Sequence, residues 1–101
     1  MQVDSSAQEQ RFEALRQRAL LLDLESSPRG KLLKVGAVLA GRTFGWSGNF
    51  SVPAALEELG RLAGAAACVL GHNLHRHDLP LLREQAPAHP LLRLPLIDTL
   101  V

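Results

Sequence analysis

Two carboxylates, Asp23 and Glu25, stand two positions apart inside the apolar run 19–26 and are the residues best suited to chemistry. Residues two apart in a β-strand point to the same face, so both carboxylates would emerge together. In a central strand, two like charges on one face are costly, and a divalent cation between them best offsets that cost. Hard oxygen ligands favour Mg²⁺ or Mn²⁺ over Zn²⁺. In an edge strand the two acids would simply face water.

The segment 71–82, "GHNLHRHDLPLL", places three of the four histidines of the chain beside Asp78. A zinc site usually needs four nitrogen or sulfur ligands. The single cysteine, Cys68, lies in an apolar run, and His89 stands between alanine and proline, so neither completes a set. We therefore interpret the histidines as solvated or hydrogen-bonded loop residues. Asp78 is either a helix N-cap or a third carboxylate of the acidic site.

Periodicity and turn residues predict the elements that position these side chains. The predicted strands are 19–26, 31–41, 43–50 and 68–73; the predicted helices are 53–66 and 78–86; residues 91–101 return as a strand or loop edge. The first three strands form an antiparallel meander, which an α-β-α segment follows. This order predicts an α/β fold with a mixed sheet and helices packed on it.

The length of 101 residues suits one domain at most. Residues 1–18 are polar, with Phe12, Leu15 and Ala19 at helical spacing, and are predicted to form a flexible or helical leader. Residues 19–101 form the domain. The net charge of +1 indicates no strongly basic face. It does not exclude a nucleic-acid partner, because a nuclease site is locally acidic.

The only cysteine of the chain cannot form an internal disulfide, so a secreted disulfide scaffold is not indicated. We expect Cys68 to be a small buried apolar residue. The N-terminus lacks the apolar core of a signal peptide, and no apolar run approaches the roughly 20 residues that span a bilayer. These features indicate an intracellular, cytoplasmic protein without a membrane partner.

Four stretches in order carry a resemblance to a known family: "LLDLESS" (21–27), "KVGAV" (34–38), "VLGHNLHRHDLPLL" (69–82) and "PLIDTL" (95–100). Together they resemble the DEDD superfamily of 3′-to-5′ exonucleases, the proofreading type, over most of the chain. The resemblance implies a ribonuclease H-like mixed sheet. It also implies hydrolysis of phosphodiester bonds in DNA or RNA, with a single-stranded 3′ end as substrate.

The resemblance assigns the catalytic and metal-binding roles to Asp23, Glu25 and Asp78, which would hold two Mg²⁺ or Mn²⁺ ions. Asn73 and His72 would contact nucleic acid. His77 stands where the family often has an aromatic residue. The third motif of the family, with its general base and last aspartate, is expected after "DTL". We therefore expect the C-terminal part of the domain to be missing, and the 101-residue chain alone to have little nuclease activity.

A narrower resemblance concerns the sequences of residues 71–84 and 92–100. They are similar to the exonuclease-like segment ahead of some bacterial RecQ-type helicases. It implies fusion to a helicase in a longer chain, associated with the nucleoid if the substrate is DNA.

Two alternatives stay open. One is a non-catalytic nucleic-acid-binding or interaction module, in which Phe44, Trp46 and Phe50 stack on bases instead of packing in the core. The other is an α/β domain with solvated acids.

Overall fold

The apolar runs of the sequence form the strands of one sheet in the computed structural model, which describes residues 8–11 and 17–99. The strands are β1 (Ala19–Ser26), β2 (Leu32–Leu39), β3 (Arg42–Ser47), β4 (Cys68–Gly71) and β5 (Leu96–Asp98). The helices are α1 (Val52–Ala65) and α2 (Leu79–Gln85), with a π-helical turn at Leu74–Asp78 and a 3₁₀ turn at Pro90–Arg93. The predicted α/β fold with a mixed sheet and helices is confirmed.

The strand order across the sheet is β3-β2-β1-β4-β5. The first three strands form the predicted meander, because β2 pairs antiparallel with both β1 and β3. Strand β4 pairs parallel with β1, and β5 pairs parallel with β4. The strand with the two acids is therefore the middle strand of the sheet, so the interpretation of β1 as an edge strand is wrong.

Alternation along β1 divides its side chains between two faces of the sheet. Leu20, Leu22 and Leu24 are buried, whereas Asp23 and Glu25 between and beyond them are exposed. The leucines join a core that includes the apolar side of α1 and α2. Complete burial of a leucine side chain contributes roughly 1.5–3 kcal/mol. The hydrophobic effect therefore fixes which face of β1 carries the carboxylates.

Helix α1 forms because its apolar residues recur at helical spacing and its start is capped. Leu56, Leu59 and Leu62 are buried on one side. The Ser51 hydroxyl accepts a hydrogen bond from the Ala54 amide at 3.3 Å, which satisfies one free donor of the first turn. This helix lies between β3 and β4 in the chain, and its buried leucines belong to the same core as Val69 of β4.

The segment between β4 and α2 differs from the prediction. The sequence predicts a strand to residue 73 and a loop to 77, whereas in the structure β4 ends at Gly71 and residues 74–78 form a π-helical turn. Asn73 lies between β4 and the π-helical turn. Its backbone is left-handed, with a φ of 62°, so the chain changes direction at this residue. Histidines 75 and 77 therefore do not share the face that an extended chain would give them.

Several smaller predictions have clear outcomes. Cys68 is buried and unbonded to another cysteine. The three aromatic residues proposed for stacking, Phe44, Trp46 and Phe50, are partly buried and pack against the core. Residues 8–11 and 17–18 are helical, but Phe12 and Leu15, on which the leader prediction depends, lie outside the described residues. Within the described part of the chain, no helix has the length and apolarity that a membrane crossing requires.

Candidate functional site

Asp23 and Glu25 lie on the face of the sheet opposite the leucine core. Their side chains are 68% and 60% exposed, so carboxylate oxygens of both reach solvent. The parallel pairing of β1 with β4 covers only Ala19 to Leu21. The half of β1 that carries the acids is therefore unpaired with β4, and its amides on that side need other partners.

Asp78 occupies that open side of β1. Its Oδ2 accepts a hydrogen bond of 2.8 Å from the amide of Leu24, the residue between the two acids. The residue is only 3% exposed, and its side chain makes no N-cap bond to α2. Its other oxygen, Oδ1, lies 3.3 Å from Nδ1 of His77. Asp78 thus binds the strand of the acids instead of capping a helix, although it is distant in sequence.

Burial raises the pKa of Asp78 above its ordinary value of 3.8, and the negative charge of Asp23 acts in the same direction. Hydrogen bonds from the Leu24 amide and from His77 lower the pKa of the same carboxyl, but less than burial raises it. The effect of Asp23 indicates that the two carboxylates interact electrostatically. An arrangement of this kind favours either a proton or a cation near Asp78.

The raised pKa gives stability a defined pH dependence. A carboxyl with a higher pKa in the folded chain takes up protons on folding, so its stabilising contribution is greatest below pH 3.8. This contribution is lost as pH rises through the raised pKa. We expect Asp78→Asn, which keeps an acceptor for Leu24, to gain stability relative to wild type over that window. Urea unfolding of both proteins from about pH 3.5 to about pH 7.5, in buffer that contains a metal chelator, measures this difference in stability.

Asp78→Ala is the matched variant, because it removes both the charge and the acceptor. We expect it to be about 1–3 kcal/mol less stable than Asp78→Asn, since the buried Leu24 amide loses its partner. Parallel stability curves for wild type and Asp78→Asn would show that the carboxyl is not perturbed. Equal stability of the alanine and asparagine variants would show that the bond to Leu24 has no energetic weight.

A lysine lies beside the two exposed acids. Lys34 Nζ is 3.3 Å from Asp23 Oδ2 and 3.9 Å from Glu25 Oε1. The sequence suggested a divalent cation between these carboxylates, and in the structure an ammonium group takes that position. Lys34 was not recognised from the sequence because its proximity depends on the register of β1 and β2, in which it stands opposite Glu25.

The turn that leads to Asp78 is held by Asp98 of β5, a second residue that the sequence reasoning did not single out. Asp98 Oδ1 accepts from the amide of Asn73 at 2.8 Å, and Oδ2 accepts from the amide of His75 at 3.0 Å. Both bonds fix the backbone just before Asp78. The available indication was the sequence "PLIDTL", an acid in an otherwise apolar segment.

Removal of the Asp98 carboxylate is expected to loosen this turn. Asp98→Ala leaves two amides without their acceptor, and we expect a loss of about 2 kcal/mol in the free energy of unfolding. Hydrogen exchange of the Asn73 and His75 amides should accelerate more than exchange in α1. Glu57→Ala, which removes an exposed acid of α1, is the control and should change stability by less than about 0.5 kcal/mol. Unchanged exchange at both amides in Asp98→Ala would contradict this role.

The two residues predicted to contact nucleic acid stand at the start of the same turn. His72 is exposed, and its Nδ1 lies 3.4 Å from Oγ1 of Thr99. Asn73 is half-buried, and its side-chain oxygen is buried without a hydrogen-bond partner among the described residues. A buried acceptor without a donor is costly, but this oxygen is enclosed by the protein and is not accessible to a ligand in the structure.

The four histidines are dispersed. His75 is exposed, His77 contacts Asp78, and His89 is buried far along the chain. The Nε2–H of His89 donates to the carbonyl of Leu56 at 2.8 Å, and its Nδ1 accepts from the amide of Leu91, which joins α1 to the 3₁₀ turn. Among residues 8–11 and 17–99, no three His, Cys, Asp or Glu side chains are grouped closely enough to hold one metal ion.

The described surface contains a groove on each side of the sheet. A groove of about 260 Å³ lies on the exposed sheet face next to Asp23, over Leu21, Gly36 and Gly45. A larger one of about 760 Å³ runs along α1, between Leu56 and Pro90, on the other side of the sheet. It contains none of the three predicted carboxylates. The smaller groove therefore adjoins the acidic site, and the larger one does not.

Comparison of the chain with protein-family models, with curated proteins and with solved structures finds no match.

Proposed function

We propose that this chain contributes the first two acidic motifs of a metal-dependent 3′-to-5′ exonuclease domain of the DEDD type, acting on DNA or RNA. The observation that carries the proposal is the bond from the Leu24 amide to Asp78. It places the third carboxylate against the residue that separates Asp23 from Glu25. The sequence resemblance assigns the catalytic roles to these same three residues. Asp23 and Asp78 are 55 positions apart in the sequence (78 − 23).

The strand order supports the finer fold assignment within this proposal. An antiparallel meander followed by helix-linked parallel strands, in the order β3-β2-β1-β4-β5, agrees with the ribonuclease H-like arrangement that the resemblance implies. In this arrangement the second acidic motif follows β4, next to the central strand with the first. The topology thus gives a physical reason why two distant motifs would act together.

The donor set fits a hard divalent cation such as Mg²⁺ or Mn²⁺. Carboxylate oxygens are the ligands that these ions prefer. The ammonium of Lys34 is a stand-in cation, since its position beside Asp23 and Glu25 indicates that this face of β1 attracts positive charge. Asp23 and Glu25 would hold the ions from the solvent side. Ion binding would bring Asp78 closer to them than it lies in the structure, where these described carboxylates are not grouped closely enough to hold one ion. The chemistry that these residues would gain from bound ions is activation of a water molecule for attack on the phosphate and stabilisation of the leaving 3′-oxygen.

The residues of this chain then have separate tasks. Asp78 accepts a hydrogen bond from the Leu24 amide, and Asp98 accepts one from the turn before it, so both bonds orient the Asp78 carboxylate. The exposed acids of β1 are free to take ligands from solution. Asn73 and His72 would contact the terminal nucleotide, and His72 is the more exposed of the two. We propose a cytoplasmic enzyme, or a nucleoid-associated one if the substrate is DNA.

A second candidate is a non-catalytic nucleic-acid-binding or interaction module, for instance on a helicase or polymerase. The observation that favours it is the Lys34 contact, because this lysine offsets the charge of Asp23 and Glu25 without a metal ion. In a binding module the acids would be a solvated, paired surface. This candidate predicts binding of single strands without hydrolysis and without a requirement for divalent ions.

Digestion of end-labelled oligonucleotides separates the two candidates. The proposed exonuclease domain is incubated with 5′-labelled single-stranded DNA and RNA, with Mg²⁺, with Mn²⁺ or with chelator. The exonuclease proposal predicts products shortened stepwise from the 3′ end and no products with chelator. Tight binding of intact strands under all three conditions would instead establish the binding module.

A further inference from the structure

Lys34 is positioned by the sheet itself. It stands opposite Glu25 in the antiparallel pairing of β1 and β2, and its ammonium reaches diagonally to Asp23 at 3.3 Å. Diagonal cross-strand neighbours are within reach of long side chains. The Lys34 side chain is 39% exposed, less than either acid, so it lies along the sheet instead of extending into solvent.

Gly36 lies beside the contact between Lys34 and Asp23. It stands opposite Asp23 on the same face, two residues beyond Lys34. A Cβ atom at Gly36 would lie 3.4 Å from Cε of Lys34 and 3.2 Å from the backbone oxygen of Asp23. The tighter of these two distances is to the Asp23 backbone, whereas the distance to Lys34 is close to ordinary van der Waals contact. The contact between Lys34 and Asp23 therefore depends on the long side chain of Lys34 and on the register of β1 and β2.

We infer that Lys34 is an internal cation that competes with divalent metal ions for Asp23 and Glu25, and so sets the metal affinity of the site. This inference rests on the proposed function. An ammonium group has three donors and no lone pair, so it cannot ligate a metal ion. An ion bound by the same oxygens would lie within a few ångströms of Nζ and be repelled by it. Metal binding therefore requires displacement of Lys34 from the carboxylates.

Manganese binding by the 101-residue chain tests this competition, with free Mn²⁺ measured by electron paramagnetic resonance. Lys34→Met keeps the length of the stem and removes the charge. We expect it to bind Mn²⁺ about 10-fold to 100-fold more tightly than wild type. Lys34→Arg keeps the charge and should stay within about 3-fold of wild type. Lys31→Met, just ahead of β2, makes the same change in net charge and should also stay within about 3-fold.

The outcomes distinguish this inference from the proposed function. If wild type and Lys34→Met bind Mn²⁺ equally and Asp23→Asn does not bind it, the role of Lys34 is overturned. The proposed metal site at the acidic residues is then retained. Equal tightening by Lys34→Met and Lys31→Met would overturn it as well, because net charge would then be the cause. Absence of Mn²⁺ binding in every folded variant would overturn both the site and the inference. Circular dichroism establishes that each variant is folded.

Discussion

Replacement of Asp23 by asparagine is expected to slow metal-dependent hydrolysis of a nucleic-acid 3′ end by the proposed exonuclease domain about 1,000-fold or more. The reason is that Asp23 stands at the centre of the proposed site, next to the Leu24 amide that holds Asp78. An amide oxygen lacks the charge that holds a divalent cation. Rates on 5′-labelled single strands, at saturating Mn²⁺, measure the effect.

The fold should tolerate this change, which makes the loss interpretable. The Asp23 side chain is 68% exposed, so Asp23→Asn is expected to alter the free energy of unfolding by less than about 0.5 kcal/mol. Glu57→Gln, an exposed acid of α1 remote from β1, is the matched control and should keep the wild-type rate. A rate within a few-fold of wild type for Asp23→Asn would show that this residue is not part of a catalytic metal site.

Replacement of Gly71 by alanine is expected to destabilise the domain by about 3 kcal/mol. A Cβ atom at this position would lie 2.5 Å from Cδ2 and 2.9 Å from Cγ of Leu74, and 3.1 Å from the backbone oxygen of Leu22. Leu74 is fully buried and cannot move away without opening a cavity. Because Leu74 begins the turn that leads to Asp78, Mn²⁺ binding should weaken together with stability.

A second glycine provides the control for this experiment. Gly45 lies in β3 on the exposed face, and a Cβ atom there would meet nothing within 4 Å. Gly45→Ala is therefore expected to leave stability unchanged or raise it by about 0.5 kcal/mol, since glycine weakens a strand interior. Urea unfolding of both variants measures the difference. If Gly71→Ala is as stable as Gly45→Ala, the close packing of Leu74 against Gly71 is not required.

The elements were predictable where local pattern decides them. Alternation of leucines with acids in 19–26 gave both the strand and the face of its carboxylates, because burial of leucines dominates the energetics of that strand. The helix after Ser51 was predictable for a similar reason, since its cap, proline and leucine spacing agree. The position of Asp78 next to β1 followed only from the combination of motifs, as its local context equally suits an N-cap.

The remaining features depend on contacts between distant residues. The π-helical turn at 74–78 has no local pattern of its own and is held by Asp98, more than twenty residues later. Lys34 reaches Asp23 only in the observed register of β1 and β2. The requirement for Gly71 arises from the position of the Leu74 side chain. None of these could be inferred from spacing, because each is set by the packing of the whole sheet.

Paramagnetic broadening by Mn²⁺ tests most directly whether the three carboxylates form one cation site. Mn²⁺ is added in substoichiometric amounts to the ¹⁵N-labelled 101-residue chain, and the amide resonances are followed by NMR. We expect the amides of Asp23, Leu24, Glu25 and Asp78 to broaden first, and Asp23→Asn to remove this pattern. Broadening centred on His72 and His75, or spread evenly over the surface, would contradict it.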